Sequence, residues 1–393
     1  MSLKSGRNFL ISAGELSGDL LAADLVHSLR SLSPDAVAYG IAGDAMTRAG
    51  VIPLAAISDL SVMGVVEVAR KISDIRMLEQ LILTWVDRFN PLFAVLVDFP
   101  GFHFRLAEQL HLRRIPVFQY VAPKVWAWGR KRVDLLRDHF TGVLGVLPFE
   151  EEFFLRNGVN YKYVGSPHFD RMSKIQLDAS HLGLPSGQKI FAFLPGSRMS
   201  ELKMILPLMD RIRHEILREV PNALCVIPLA AGLQWEDVAP ILNVDPDVRG
   251  KSQSWEASGF HWMNGCSLEL LKIANSAVVA SGTATLECAL AGTPMSVVYV
   301  MNDLSYAVAS RLVDLPWVSL VNLLMNEEVV KEHIQVIDPV VVAQEVVTLA
   351  HDSVARKHML QRFELLTSQL VPGAADRAAA WIMRDLREKG IKV

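Results

Sequence analysis

The sequence predicts an α/β protein built from two successive Rossmann-like domains facing a cleft, and three observations carry that expectation. Short apolar runs, too short for helices, alternate with stripes of helical period. Most of those runs end in small-residue or acidic turns. Periodicity is lost over 166–188, SPHFDRMSKIQLDASHLGLPSGQ, and returns in a fresh strand at Ile190–Leu194. Residues 1–165 therefore read as one domain, 166–188 as a linker and 189–350 as a second domain, in a chain of 393 residues.

Composition narrows the function classes. With 51% hydrophobic residues, 8% aromatics and a formal net charge of −3, the chain is globular and has no nucleic-acid signature. Cys225, Cys266 and Cys288 lie far apart, which points to a reducing compartment and away from disulfides or structural zinc. The apolar segment of MSLKSGRNFLISAGE is too short for a signal peptide. The most apolar long window, 277–301, holds Glu287 near its centre and is broken by Gly292 and Pro294, so a spanning helix is rejected. A mean hydropathy of +0.27 still leaves room for a lipid-facing patch.

In the first domain, Phe9-Leu10-Ile11 runs into SAGELSGD, and Leu21, Leu25 and Leu29 mark the helix beyond. The loop has neither a G-x-G-x-x-G fingerprint nor a Walker lysine. Glu15 and Asp19 would repel a phosphate, and sugar hydroxyls or a proton-transfer role suit them better, with Ser17 and Gly18 beside them on the sugar side. Helix capping by Ser17 and Asp19 is the plainer reading. A strand is expected at Ala36–Ile41, and a long helical pattern over 58–89 stops at Asn90-Pro91. Within it Leu60, Val62, Met63, Val65 and Val66 are denser than one core stripe needs. Arg70, Lys71 and Arg76 follow, so the cluster fits an anionic lipid surface or ordinary core.

Leu92–Val97 is a continuous apolar run ending in Asp98. A parallel strand buried on both faces delivers its carboxyl end to the ligand crevice of an open α/β sheet, which favours a functional acid or base over a cap for the next turn. After a strand at Pro116–Val121 comes APKVWAWGRKR. Its Lys124, Trp126 and Arg130 suit a sugar face and a phosphate, or else a tryptophan-anchored loop leading into a basic helix start. Strands at Gly142–Leu147 and Tyr161–Val164 close this half.

In the second domain, Ile190–Leu194 feeds Pro195-Gly196-Ser197-Arg198, with Glu201 placed to pair with Arg198. Strands follow at Ala223–Ile227 and Ala277–Ala280. The second of these leads into Ser281-Gly282-Thr283-Ala284-Thr285 and a helix read from Leu286, with Glu287 in its first turn. Strand, small-residue turn and helix start aim backbone N–H groups at one point, which suits a pyrophosphate, while Glu287 suits sugar hydroxyls. A further strand is read at Pro294–Met301, and Asn322 sits in an apolar stretch as a ligand contact or a buried turn amide. Residues 326–391 read as mostly helical. Two anion loops in one domain and an acid in the other suit a nucleotide-sugar transferase.

The stretches ISAGELSGD, LSVMGVVEV, YVAPKVWAWGRKRV, LPGSRMSE and SGTATLECALAGTPM resemble the lipid-A-disaccharide synthases, bacterial inverting glycosyltransferases, along nearly the whole chain. The resemblance implies a glycosyltransferase-B fold whose last helices, 351–393, return to the first domain. It implies transfer from UDP-2,3-diacylglucosamine to 2,3-diacylglucosamine 1-phosphate (lipid X), at the cytoplasmic surface of the inner membrane. No metal and no cofactor beyond the UDP of the donor are implied. Asp98 corresponds to the general base. Arg198 and the N–H groups around Gly196–Ser197 and Thr283–Thr285 correspond to the UDP site, with Glu287 as the ribose acid. Three positions depart from the family's pattern: Gly101-Phe102-His103 replaces Asp-Phe-Asn, Gly165-Ser166-Pro167 stands at a Gly-His-Pro-like site with His168 displaced by two positions, and Val321 replaces a proline before Asn322. A UDP-sugar 2-epimerase and a non-catalytic nucleotide-sugar sensor at the membrane are the competing readings. The helical C-terminus offers surface for a homodimer.

Overall fold

The computed structural model describes residues 8–57, 68–127, 129, 132–175, 182–185, 187–230, 232–249, 254–302 and 315–391, with the backbone alone over 68–74 and at 249. The chain divides into two compact units: residues up to Pro167 together with those from Val371 onward, and His168–Leu370.

The first unit runs β1 (Asn8–Ala13), α1 (Leu16–Leu32), β2 (Val37–Ala42), α2 (Asp44–Arg48), β3 (Ile52–Ala56), α3 (Val68–Phe89), β4 (Ala94–Val97), α4 (Pro100–Leu112), β5 (Val117–Tyr120), α5 (Val133–His139), β6 (Gly142–Gly145), α6 (Glu150–Arg156) and β7 (Tyr161–Tyr163). Its strands form one parallel sheet in the order β3-β2-β1-β4-β5-β6-β7. β1, β4, β5 and β6 are buried at every residue, which is why their sequences are mainly apolar rather than alternating, with Asn8, Ser12 and Gln119 as buried polar exceptions. β3 has no such signature. Its IPLAA is a mostly exposed edge strand with a proline, as edges tolerate, and nothing in its pattern marks it as a strand. From β1 the chain winds outward to β2 and β3, and from β4 it winds the other way, so the order reverses between β1 and β4. Register pairs Ala13 with Val97 and Val97 with Tyr120, and the loops after β1, β4 and β5 leave side by side.

The second unit runs α7 (Pro167–Lys174), β8 (Ile190–Leu194), α8 (Met199–Glu219), β9 (Leu224–Leu229), α9 (Trp235–Val238), β10 (Ser254–Ala257), β11 (Phe260–Asn264), α10 (Ser267–Ile273), β12 (Ser276–Ala280), α11 (Thr283–Ala291), β13 (Met295–Tyr299), α12 (Leu320–Met325), β14 (Glu332–Ile334), α13 (Pro339–Ala350) and α14 (Val354–Gln369). Its sheet is ordered β10-β11-β9-β8-β12-β13-β14, parallel except for β10. The β10–β11 hairpin was not legible in the sequence. Its turn uses Ser258 and Gly259 at φ 52° and 69°, and its strands carry Trp255, Phe260 and Trp262 into an aromatic cluster with Trp235. The order reverses between β8 and β12.

Two boundaries differ from expectation. The stretch read as a linker contains α7, a proline-led helix. Of the helices expected to return to the first unit, α14 stays in the second. It packs on α11 and α13 through Met359, Phe363 and Leu366, and Arg356 donates to the carbonyls of Asn275 at 2.6 Å and Leu349 at 2.7 Å. Only α15 (Ala374–Glu388) returns. It lays Ala378, Ile382, Met383 and Leu386 against the first core, beside α1, with Trp381 edge-on to Phe118. Among the described residues no helix is long and apolar enough to cross a membrane.

Candidate active site

The crevice where each parallel sheet reverses its strand order is where α/β folds bind ligands, and the predicted loops fall there in both units. In the first unit Asp98 follows β4 directly. Asp98 and Phe99 both adopt left-handed backbone conformations, at φ 52° and 51°, which cost roughly 1–2 kcal/mol each for residues with a Cβ. The surrounding bonds hold them there. The Asp98 N–H donates to Tyr120 at 3.0 Å, while its carbonyl accepts from His103 Nδ1 at 2.6 Å and from Gln119 Nε2 at 3.4 Å. Because a carbonyl only accepts, Nδ1 of His103 carries the proton and Nε2 accepts from the Ser12 hydroxyl, 3.0 Å away. His103 is fully buried, and that burial pushes its imidazole down to about 4 against the opposing bond from Asp98, so the ring is neutral. The histidine that departs from the family's pattern thus lies beneath the crevice. The neighbouring loop touches this turn: a Cβ on Gly14 would sit 2.1 Å from Cγ of Phe99, so only glycine fits.

The loop after β1 carries Glu15, half-exposed at the N-cap of α1, then Ser17 on the surface and Gly18 packed against Val97. Ser17 lies inside the helix and makes no cap. Asp19, read as a cap for its own helix, instead serves α2. Its buried carboxylate accepts from the N–H groups of Gly43, Ala45 and Met46 at 2.9, 2.9 and 3.1 Å.

The loop after β5 begins at Val121, left-handed at φ 67°, and carries exposed Lys124 and half-buried Trp126. The Trp126 indole N–H donates to Glu150 at 2.9 Å, and its ring meets Phe149 edge-on. Glu150 is 1% exposed and also accepts from the Tyr161 hydroxyl at 3.0 Å. Burial pushes its carboxyl up to about 7, opposed by Trp126, Tyr161 and Lys124. Sequence reading missed Glu150, one of three consecutive glutamates in the first turn of α6. It also missed Gln119, although a lone amide inside the apolar run VFQY was a usable signal. Arg130 lies outside the described residues, as do Leu60, Val62, Met63, Val65 and Val66.

In the second unit the loops after β8 and β12 are neighbours, with Leu194 paired to Val279. Gly196 has φ 102°, and a Cβ there would come 2.5 Å from Oε2 of Glu201. Ser197 and Arg198 are exposed, Arg198 stands at the N-cap position of α8, and its guanidinium pairs with Glu201 at 3.3 Å as the spacing predicts. Tyr299, at the end of β13, belongs to the same neighbourhood. Burial and then the Glu201 carboxylate push its phenol up, and Arg198 opposes them.

The loop after β12 corrects three expectations. α11 starts at Thr283 rather than Leu286, so Thr283 and Ala284 supply the first N–H groups and Glu287 falls in the second turn. There Glu287 meets Nδ1 of His168, the histidine displaced from the Gly-His-Pro-like site, at 3.1 Å. The Ser281 hydroxyl donates to Val318 and the buried Thr285 hydroxyl to Gly282, both at 2.8 Å, which leaves backbone groups and the exposed Thr283 to face a ligand. Asn322 is not a ligand contact. Its amide donates to Val330 and Glu332 at 2.8 and 2.9 Å, and its oxygen accepts from the Val329 and Val330 N–H groups at 2.8 and 3.0 Å. With no exposed surface and all four hydrogen-bonding positions used, it is the buried turn amide.

Two Rossmann-type units with ligand loops at their switch points define the glycosyltransferase-B fold. Solved structures with that shape include the glycotransferase of kitacinnamycin (TM-score 0.62, 14% identity, covering 98% of this chain and 100% of that one). Another is the UDP-GlcNAc 2-epimerase of Neisseria meningitidis bound to UDP-GlcNAc (TM-score 0.61, 12% identity, covering 97% and 100%). Sequence decides between transferase and epimerase: the chain belongs to the lipid-A-disaccharide synthetase family, whose model matches residues 9–380. Curated relatives named lipid-A-disaccharide synthase include that of Anaeromyxobacter dehalogenans strain 2CP-1, 36% identical over 382 residues, 96% of this chain and 97% of the relative. That of Myxococcus xanthus is 35% identical over 381 residues, covering 95% and 96%. The chain is accordingly a glycosyltransferase of lipid A biosynthesis that takes a nucleotide-sugar donor and a lipid-linked acceptor.

Proposed function

We propose that the chain transfers 2,3-diacylglucosamine from UDP-2,3-diacylglucosamine to the 6-hydroxyl of 2,3-diacylglucosamine 1-phosphate, releasing UDP and the β-1,6-linked disaccharide 1-phosphate. The observation that carries this reading is the contrast between the two switch points. The first presents carboxylates, Asp98 and Glu15; the second presents N–H groups and an arginine, its own carboxylates Glu201 and Glu287 being paired with Arg198 and His168. In this reading Asp98 takes the acceptor hydroxyl proton while the oxygen attacks C1 of the donor, inverting it. The departing diphosphate gains negative charge in the transition state. Arg198, the backbone at Gly196–Ser197 and the N–H groups of Thr283 and Ala284 stabilise that charge. Glu287, held by His168, accepts from ribose hydroxyls. Lys124 and Trp126 serve the acceptor phosphate and sugar, with no metal in the step. The Leu60–Val66 stretch, with Val62 and Met63, seats acyl chains or the cytoplasmic face of the inner membrane.

Purified protein mixed with both substrates, without added metal, tests this by mass spectrometry of the products. Disaccharide with stoichiometric UDP supports the reading. UDP alone would mean donor hydrolysis and a wrong acceptor. Neither product, with UDP still bound, would favour a sensor.

A further inference from the structure

We propose that Gln119 and His103 are positioning residues that clamp the Asp98 backbone and tie it to the start of the tryptophan loop. The inference rests on Asp98 being the base. Three residues with a Cβ stand in left-handed conformations around this crevice: Asp98 at φ 52°, Phe99 at 51° and Val121 at 67°. For a β-branched residue such as Val121 that region is an outlier, and such strain persists only where the surroundings over-determine it.

Gln119 supplies that constraint. It is 1% exposed, and its side-chain nitrogen lies 3.1 Å from the Val121 carbonyl and 3.4 Å from the Asp98 carbonyl. A primary amide has two N–H bonds, so one side chain can hold both carbonyls at once. From the other side His103 Nδ1 donates to the same Asp98 carbonyl at 2.6 Å, with its ring set by Ser12. The Asp98 carbonyl thus receives two buried donors from separate elements, β5 and α4. Fixing that peptide plane fixes where the Asp98 Cβ, and so its carboxylate, leaves the chain. The second N–H of Gln119 fixes the Val121 peptide that opens the loop carrying Lys124 and Trp126. Base and acceptor loop are therefore held at one distance by a single buried amide.

The test is steady-state kinetics of the full-length protein with UDP-2,3-diacylglucosamine and 2,3-diacylglucosamine 1-phosphate. Gln119→Leu and His103→Phe keep the shape and remove the donors. In each, kcat should fall about tenfold or more, because small misplacements of a reacting group are costly, while KM for the donor and the UDP affinity stay within about twofold; only Gln119→Leu, which also frees the acceptor loop, should raise the acceptor KM as well. His103→Asn restores a donor and should recover most of the loss. Wild-type kcat in either folded apolar variant overturns the clamp, as does a loss carried in KM alone. If those variants fail to fold, Gln119→Glu, with the same length and at most one donor, takes their place and reads the same way. Full turnover in Asp98→Asn would instead overturn the base assignment, and the clamp with it.

Discussion

His103 donates from Nδ1 to the Asp98 carbonyl at 2.6 Å, a bond that fixes the tautomer of a ring that burial under the crevice keeps neutral. Glu150, buried beneath Trp126, is shifted the opposite way. The two shifts give opposed pH dependences of stability in the first unit. His103 has a folded value of about 4 against 6.5 unfolded, so below 6.5 the unfolded chain binds the extra proton and stability is lost as pH falls toward 4. Glu150 has a folded value of about 7 against 4.5 unfolded, so the folded chain keeps its proton longer and stability is lost as pH rises from 4.5 to 7. Between pH 4.5 and 6.5 the two offset one another. Relative to wild type, His103→Asn should lose stability as pH rises from about 5 to about 6.5, and Glu150→Gln should gain it, each by up to about 2 kcal/mol. Urea midpoints at those two pH values check this, and parallel curves for all three proteins would refute it.

Asn322 yields a prediction that separates structure from binding. Its side chain spans α12, the Val329–Val330 backbone and Glu332 of β14. Asn322→Leu would strand the Val329 and Val330 N–H groups and the Val330 carbonyl, while Glu332 keeps the Val318 and Ser319 N–H groups. The substitution should cost about 3 kcal/mol or more. UDP affinity of the folded fraction should stay unchanged. Thermal unfolding with calorimetric UDP titration decides, and a large rise in Kd at unchanged stability would return Asn322 to the nucleotide site.

What was legible in the sequence follows from where information is local. β4 and β12 are buried on both faces, so their apolar runs announce parallel strands and their loops announce ligand ends. Arg198 and Glu201 are three residues apart on one helix, and their pairing is a spacing argument. The partnerships of Glu287 with His168 and of Trp126 with Glu150 span 119 and 24 residues, and no periodicity encodes them. Asp19 was misassigned for the same reason. A buried carboxylate can cap a helix other than its own, and only the approach of α2 shows which. β3 and β10 lack the double-sided burial that makes a strand readable.

Asp98→Asn is the substitution that most directly tests the chemistry. Asparagine keeps the size of the side chain and leaves the backbone carbonyl bonded to His103 and Gln119, but it cannot accept the acceptor's proton at neutral pH. Turnover should fall by a factor of about 10² to 10⁴, the usual contribution of a general base. UDP binding should be unchanged. Product release followed by mass spectrometry, with calorimetry for UDP, reads both; retention of even a third of the wild-type rate would exclude Asp98 as the base.

Arg198 tests the nucleotide side. Its side chain is 62% exposed and its partner Glu201 32% exposed, so their ion pair contributes little to stability in solvent. Arg198→Ala should therefore leave the melting temperature nearly unchanged. The guanidinium stands at the N-cap of α8, beside the left-handed Gly196 and next to the loop that opens α11, where a diphosphate would collect its charge-assisted bonds. Its removal should raise the Kd for UDP about tenfold. Arg198→Lys should recover only part of that loss, because a lysine keeps the charge without the planar two-pronged donor. Calorimetric titration at two salt concentrations separates the contributions. The lysine variant should track the salt dependence of wild type, and the alanine variant should show a shallower one. Equal UDP affinity in all three proteins would remove Arg198 from the site and leave the anion to the helix N-termini alone.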